Sequence, residues 1–191
     1  MRKILIYIYD GMASFEITLL TQLLSLEQGF ELVIAADELR LIKDKPGFSI
    51  MPQVELKNIK GNEIEGIIIP GGWLAHLDEQ LISLLRELDE EHKLIAAICA
   101  APWILAKAGL LTNRRYTSSI VKWEDRHKEV FGLVDPFPRE SYEESRVVRD
   151  DHIITAKGTA FIDFTIEVCS YLGIFDDYAE KIAFEQELKG C

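Results

Sequence analysis

Five consecutive apolar residues, Leu94–Ile98, run straight into Cys99, and an amphipathic helical pattern follows at once in Ala100-Ala101-Pro102-Trp103-Ile104-Leu105. A run this short and uniformly apolar predicts a strand covered on both faces, because a half-exposed strand would alternate. Pro102 suits a first helical turn, where its missing N–H is one that the helix leaves unpaired anyway. A strand passing directly into a helix points to an α/β architecture. It also sets the thiol at the junction among unpaired backbone N–H groups, at the positive end of the helix. That is the local arrangement of a nucleophile elbow. The competing reading is a small buried hydrophobe, the commonest fate of a free cysteine.

The rest of the chain repeats the strand–helix alternation. Lys3–Tyr9 reads as a first strand, and Ser14 as the cap of a helix over Phe15–Leu26. Gly29 then separates that helix from a second strand over Phe30–Ala36, completing a βαβ unit. The charged turn Lys43-Asp44-Lys45-Pro46-Gly47 sits within one or two short strands between residues 39 and 56. Ile64–Ile69 is another buried strand, emptying into Pro70-Gly71-Gly72-Trp73, and Leu77–Glu91 is an amphipathic helix with an acidic outer face. After the elbow helix, which Gly109 stops, Tyr116–Val121 reads as a short strand. Trp123–Val130 reads as a charged helix, with His127 facing solvent between Arg126 and Lys128. A proline-bearing loop over 132–138 and a hairpin around Asp150-Asp151 precede two helices, 161–172 and 175–188. Residues 1–191 are expected to form one domain, without repeats, a phosphate loop or a dinucleotide fingerprint.

Composition excludes several functions. With a formal net charge of -11 and a pI near 4.9, the chain should be repelled by nucleic acid, and its longest basic cluster is the pair Arg114-Arg115. The N-terminal apolar run is too short for a membrane span or a signal peptide core. Cys99, Cys169 and Cys191 are widely spaced and odd in number, which argues against a disulfide framework and for a reducing, cytoplasmic setting. Cys169 falls on the apolar side of its helix and Cys191 at a frayed terminus. The histidines, His76, His92, His127 and His152, make no metal-binding spacing with the cysteines, so no metal is expected. His92 reads as a loop residue and His152 as peripheral.

In an open parallel sheet, ligands bind beyond the carboxyl ends of the strands. Glu16, Gly71-Gly72 and Cys99 each lie just past such an end. Glu16 in a first helical turn is also comfortable for purely electrostatic reasons. Beside the sulfur, an ionised Glu16 would disfavour the thiolate by like-charge repulsion. The pair therefore needs either a neutral carboxyl that hydrogen-bonds S⁻ or a carboxylate that takes the thiol proton and acts as general acid–base. Backbone N–H groups at Gly71-Gly72 and after Cys99 could serve an oxyanion. His127 is the weaker candidate base, followed by His76.

Ala97-Ile98-Cys99-Ala100-Ala101-Pro102, Asp10-Gly11 with Phe15-Glu16, Ile69-Pro70-Gly71-Gly72 and Ile154-Thr155-Ala156-Lys157-Gly158 together resemble the DJ-1/PfpI (ThiJ/PfpI) family, a branch of the class I glutamine amidotransferase-like superfamily. The resemblance runs in order over nearly the whole chain. It implies a flavodoxin-like three-layer α/β sandwich with a mostly parallel sheet, assembled as a homodimer, without a cofactor. It implies Cys99 as the nucleophilic or oxidisable cysteine with Glu16 as its protonated partner, Gly72 and Ala100 as oxyanion donors, and a pocket at Gly71, Trp73, Pro102, Thr117 and Ser118. Family activities include glyoxalase III-type conversion of methylglyoxal to lactate, deglycation, peptide or amide hydrolysis, isocyanide hydration and oxidative-stress sensing. Many members carry a histidine just beyond the elbow helix, whereas Tyr116–Val121 has none. Isocyanide hydratases carry an aspartate two residues after the glutamate, where this chain has Thr18. The expectation is thus a cofactor-free Cys–Glu enzyme acting on a small carbonyl or amide compound. The alternative is a redox-responsive stress protein whose Cys99 oxidises to sulfinate.

Overall fold

Chain order builds the sheet from its middle outwards. β1 (Arg2–Tyr7) leads through α1 (Phe15–Leu26) to β2 (Phe30–Ala36), which pairs with β1 in parallel, Ile4 opposite Leu32. A small antiparallel hairpin, β3 (Ile42–Lys43) and β4 (Ser49–Ile50), precedes the edge strand β5 (Val54–Glu55). The chain then crosses to the other side of β1 with β6 (Gly66–Ile69), α2 (Glu79–Glu90), β7 (Leu94–Ile98) and α3 (Pro102–Ala108). α4 (Asp125–Phe131), the hairpin β8 (Val147–Asp150) and β9 (Ile153–Ala156), α5 (Phe161–Tyr171) and α6 (Tyr178–Lys189) complete the chain. The structure is a computed structural model, and it describes residues 1–73 and 77–190. His76 and Cys191 lie outside the described residues.

The sheet has seven strands in the order β5-β2-β1-β6-β7-β9-β8, and all its pairings are parallel except β8 with β9. α1 packs beside α5 and α2 beside α3, so helices cover both faces, the three-layer sandwich of the flavodoxin-like type. This covering is why β6 and β7 are buried along their whole length. The chain turns left from β1 to β2 and right from β1 to β6, so the topological switch lies between β1 and β6. Just beyond the carboxyl ends of these strands lie Glu16, in the first turn of α1, and Gly71. Among the described residues no helix is long and apolar enough to cross a membrane.

Three local expectations are corrected. Ser14 does not cap α1: its backbone is already helical, and its hydroxyl donates instead to the buried carboxylate of Asp44 in the β3–β4 turn. Tyr116–Val121 is not a strand, because β9 already has partners on both sides, in β7 and β8. A single bridge from Tyr116 to Tyr142 is all the sheet-like pairing recorded there. The first strand ends at Tyr7 rather than Tyr9, since the chain must turn through Gly11, at φ 74°, to bring Glu16 over the sheet edge.

Candidate active site

Cys99 stands at the tip of β7 with φ 65°, in the left-handed region that a side chain rarely occupies. Several hydrogen bonds hold it there. Its N–H donates to Ala156 O at 2.8 Å, and its carbonyl accepts from both Ser119 N and Ser118 Oγ at 2.9 Å. The strained backbone turns the side chain out of the strand, and α3 starts with Pro102 in its first turn. The Glu16 carboxyl, the Ser119 hydroxyl and the Ala100 N–H are the polar groups that act on the sulfur. Ser119 Oγ in turn accepts the Gly158 N–H at 2.9 Å, which leaves the hydroxyl proton for the sulfur.

Glu16 is buried, in the first turn of α1, and Oε2 accepts the Gly71 N–H at 2.7 Å. Gly71 and Gly158 flank the pair so closely that neither could be replaced. A Cβ on Gly71 would stand 2.6 Å from Glu16 Oε2 and overlap Cys99 Cβ, and one on Gly158 would stand 2.7 Å from Glu16 Oε1 and 2.9 Å from Cys99 Sγ. Two glycine-bearing loops thus press the carboxyl and the thiol together. Gly72 lies beside Tyr9, whose hydroxyl donates to Pro70 O at 2.9 Å and fixes that loop.

Burial raises the Glu16 pKa, against the hydrogen bonds from Cys99 and Gly71. The Cys99 thiol is pushed up to about 12, first by burial and then by the charge of Glu16, with Ser119 and Ala100 acting in the opposite direction. The expected lowering by the helix start is therefore outweighed: beside an ionised Glu16, the sulfur keeps its proton. Once Glu16 is neutral the repulsion vanishes and the carboxyl becomes a donor to S⁻. The two groups form one system whose charge state is set by how many protons they hold together.

Other expected residues fall elsewhere. Thr117 is buried, its N–H on Thr155 Oγ1 at 2.9 Å and its hydroxyl on Ser145 O at 2.8 Å, so it ties its loop to the β8–β9 edge. Ser118 holds the Cys99 carbonyl rather than the sulfur. Ser119, absent from the expected set, holds the sulfur. Its only signal in the sequence is its place in the histidine-free segment after the elbow helix. His127 is not solvent-facing. It is buried, Nδ1 accepts the Glu124 N–H at 3.0 Å, and its ring lies 5.4 Å from Trp73 and 5.8 Å from Trp123. Burial lowers its pKa, with the positive charge of Arg126 adding to the effect. Its charged sequence neighbours occupy other sides of α4, because successive helical residues are turned by about 100°. Trp73 is 42 % exposed and also packs on Phe131 at 5.4 Å, so its ring anchors the segment after β6 on α4. Cys169 is sealed in the core. His152 is buried rather than peripheral, and it meets His92 through Asp151.

Residues 2–170 match the DJ-1/PfpI family. The chain belongs to that family. It is 32% identical over 119 residues to the deglycase PfpI of Pyrococcus furiosus, a match covering 56% of this chain and 72% of that protein. It is 31% identical over 152 residues to a glutathione-independent glyoxalase of Caenorhabditis elegans, covering 75% and 74% of the two chains. The DJ-1 superfamily protein Atu0886 of Agrobacterium tumefaciens superposes with a TM-score of 0.82 at 26% identity, over 100% of this chain and 98% of that one. Membership places this chain in the class I glutamine amidotransferase-like superfamily.

Proposed function

We propose that Cys99 and Glu16 form a cofactor-independent catalytic pair that converts small 2-oxoaldehydes to 2-hydroxy acids. The observation that carries this reading is the buried Glu16 carboxyl set beside the Cys99 sulfur, so close that a Cβ on Gly158 would stand 2.7 Å from Glu16 Oε1 and 2.9 Å from Cys99 Sγ, with the Gly71 N–H holding the other carboxyl oxygen. The similarity to a protein named as a glyoxalase and another named as a deglycase supports a small carbonyl substrate.

The chemistry follows from one nucleophile and one proton carrier. The Cys99 sulfur adds to the aldehyde carbon, and the thiol proton ends on the former carbonyl oxygen, giving a hemithioacetal. Glu16, as carboxylate, removes the C–H proton of that carbon and returns it to the neighbouring carbon, while the hydroxyl proton on the first carbon passes to the neighbouring carbonyl oxygen, so that the first carbon is oxidised and the second reduced. The product is a thioester of the 2-hydroxy acid. Water hydrolyses it and restores the thiol, so the net reaction consumes one water and no external oxidant. Ala100 N–H and Ser119 Oγ–H stabilise the negative charge that the sulfur carries as it attacks and as it leaves. In this scheme Gly72 N–H serves the adjacent oxygen.

The test is turnover of methylglyoxal, with lactate measured as product. Cys99→Ala and Glu16→Gln should each lower the rate by at least about 100-fold, the loss typical of a removed catalytic acid–base. Ser119→Ala should cost about 10-fold, in line with losing one hydrogen bond to a charged group. Lactate formation that persists in Cys99→Ala would remove the basis for the scheme.

A further inference from the structure

At the opposite end of the sheet from Cys99, three side chains far apart in sequence converge. His92 closes the turn before β7, and Asp151 and His152 form the turn before β9. His92 Nδ1 is 2.9 Å from Asp151 Oδ2, His152 Nδ1 is 3.0 Å from the same oxygen, and all three side chains offer ligand atoms within 4.8 Å of one another. We propose that His92, Asp151 and His152 form a binding site for a divalent transition ion of the zinc type, independent of the Cys99 site.

The arrangement on the far side of His152 supports this. Its Nε2 lies 2.8 Å from Asp89 Oδ1, and that carboxylate is itself paired with Arg114 at 2.7 Å. Arg114 Nη1 also stands 3.4 Å from Nε2, but it is a donor whose short contact is with Asp89. Nε2 therefore donates its proton to Asp89, and Nδ1 presents a lone pair towards Asp151. A lone pair facing a carboxylate oxygen at hydrogen-bond distance requires a positive centre between them, either a proton or a metal ion. A carboxylate orienting an imidazole by its second nitrogen is the usual support of a metal-bound histidine.

The rest of the geometry favours the ion. Two imidazoles and a carboxylate suit zinc and its neighbours rather than magnesium or calcium. Donors sharing an ion at about 2.0–2.2 Å stand about 3.0–3.5 Å apart, close to the two distances here. The imidazole of His152 is buried and fixed, whereas His92 and Asp151 are exposed and free to adjust by tenths of an ångström. Water would complete the coordination. Backbone at φ 52° for His92 and 55° for Asp151 turns both side chains into the same corner. No spacing rule reveals this set, because 59 residues separate His92 from Asp151.

The test is calorimetric titration of the chelator-treated full chain with Zn²⁺ alone. One ion per chain is expected. His92→Ala, an exposed change that leaves the fold intact, should weaken binding by at least about 10-fold. Asp89→Asn should weaken it about 10- to 100-fold through the orientation of His152. Cys99→Ala should leave binding unchanged. Cu²⁺ in place of Zn²⁺ should give an electron paramagnetic resonance signal split by two imidazole nitrogens. Absence of Zn²⁺ binding would mean that a proton alone fills the gap and would overturn the proposal. Binding lost in Cys99→Ala but kept in His92→Ala would overturn it too.

Discussion

Cys99 at φ 65° carries a conformational cost that its hydrogen bonds to Ala156, Ser118 and Ser119 sustain. A β-carbon in this region costs about 1–2 kcal/mol, whereas glycine pays only the entropy of its freer unfolded chain. Cys99→Gly should therefore be more stable than Cys99→Ala by about 1 kcal/mol, measured by urea unfolding, although both lack the thiol. The reverse order would mean that the elbow is not strained. Cys99, Glu16 and Gly71 were legible in the sequence because each follows an apolar run that ends at one edge of a parallel sheet. Ser119 was not, because it arrives on an irregular segment whose course is set by bonds to Cys99 and Gly158. The burial of His127 is hidden from the sequence for a different reason. Its charged neighbours say nothing about the one helical face that packs on Trp73 and Trp123.

Between elements, the position of Glu16 depends on how α1 is tied to the β3–β4 hairpin. Asp44 is buried and accepts from the Gly47 and Phe48 N–H groups at 2.8 and 2.6 Å, and from the Ser14 hydroxyl one residue before α1. Asp44→Ala would remove the carboxylate shared by the buried Ser14 hydroxyl and the Gly47 and Phe48 N–H groups of the exposed turn, and a hydrogen bond to a charged group is worth about 1.5–3 kcal/mol when buried. Water entering the space offsets part of this, so a loss of about 2 kcal/mol is expected in urea unfolding. A smaller fall in methylglyoxal turnover should accompany it as Glu16 loosens. Unchanged stability would show that the hairpin is not coupled to α1. The strands Phe30–Ala36 and Leu94–Ile98 and the end of α3 at Gly109 could be read from local pattern alone. The Ser14–Asp44 tie could not, since a serine ahead of a helix is equally well suited to cap it.

On the scale of the molecule, the carboxyl-end placement of the site makes a buried acid part of the stability balance. Unfolded, Glu16 titrates near its ordinary value of 4.5; folded, burial raises it. Between those two values the native chain holds a proton that the unfolded chain has released, so stability falls as pH rises through the interval. Asp10 and Asp163 act in the opposite sense. Their folded pKa values are lowered, by Arg40 and by Arg146 and Lys189 respectively, so they stabilise at neutral pH and lose that contribution on acidification. The raw pH profile of the protein mixes both signs. The difference between the wild type and Glu16→Gln isolates the buried acid, because every other group is common to both. That difference should be flat below pH 4.5 and then grow in favour of Glu16→Gln up to the folded pKa, above which it levels off. Thermal midpoints measured from pH 4 to pH 8 would trace it. A gap that instead favours the wild type as pH rises would mean that the fold prefers Glu16 ionised, leaving the Cys99 sulfur protonated at rest.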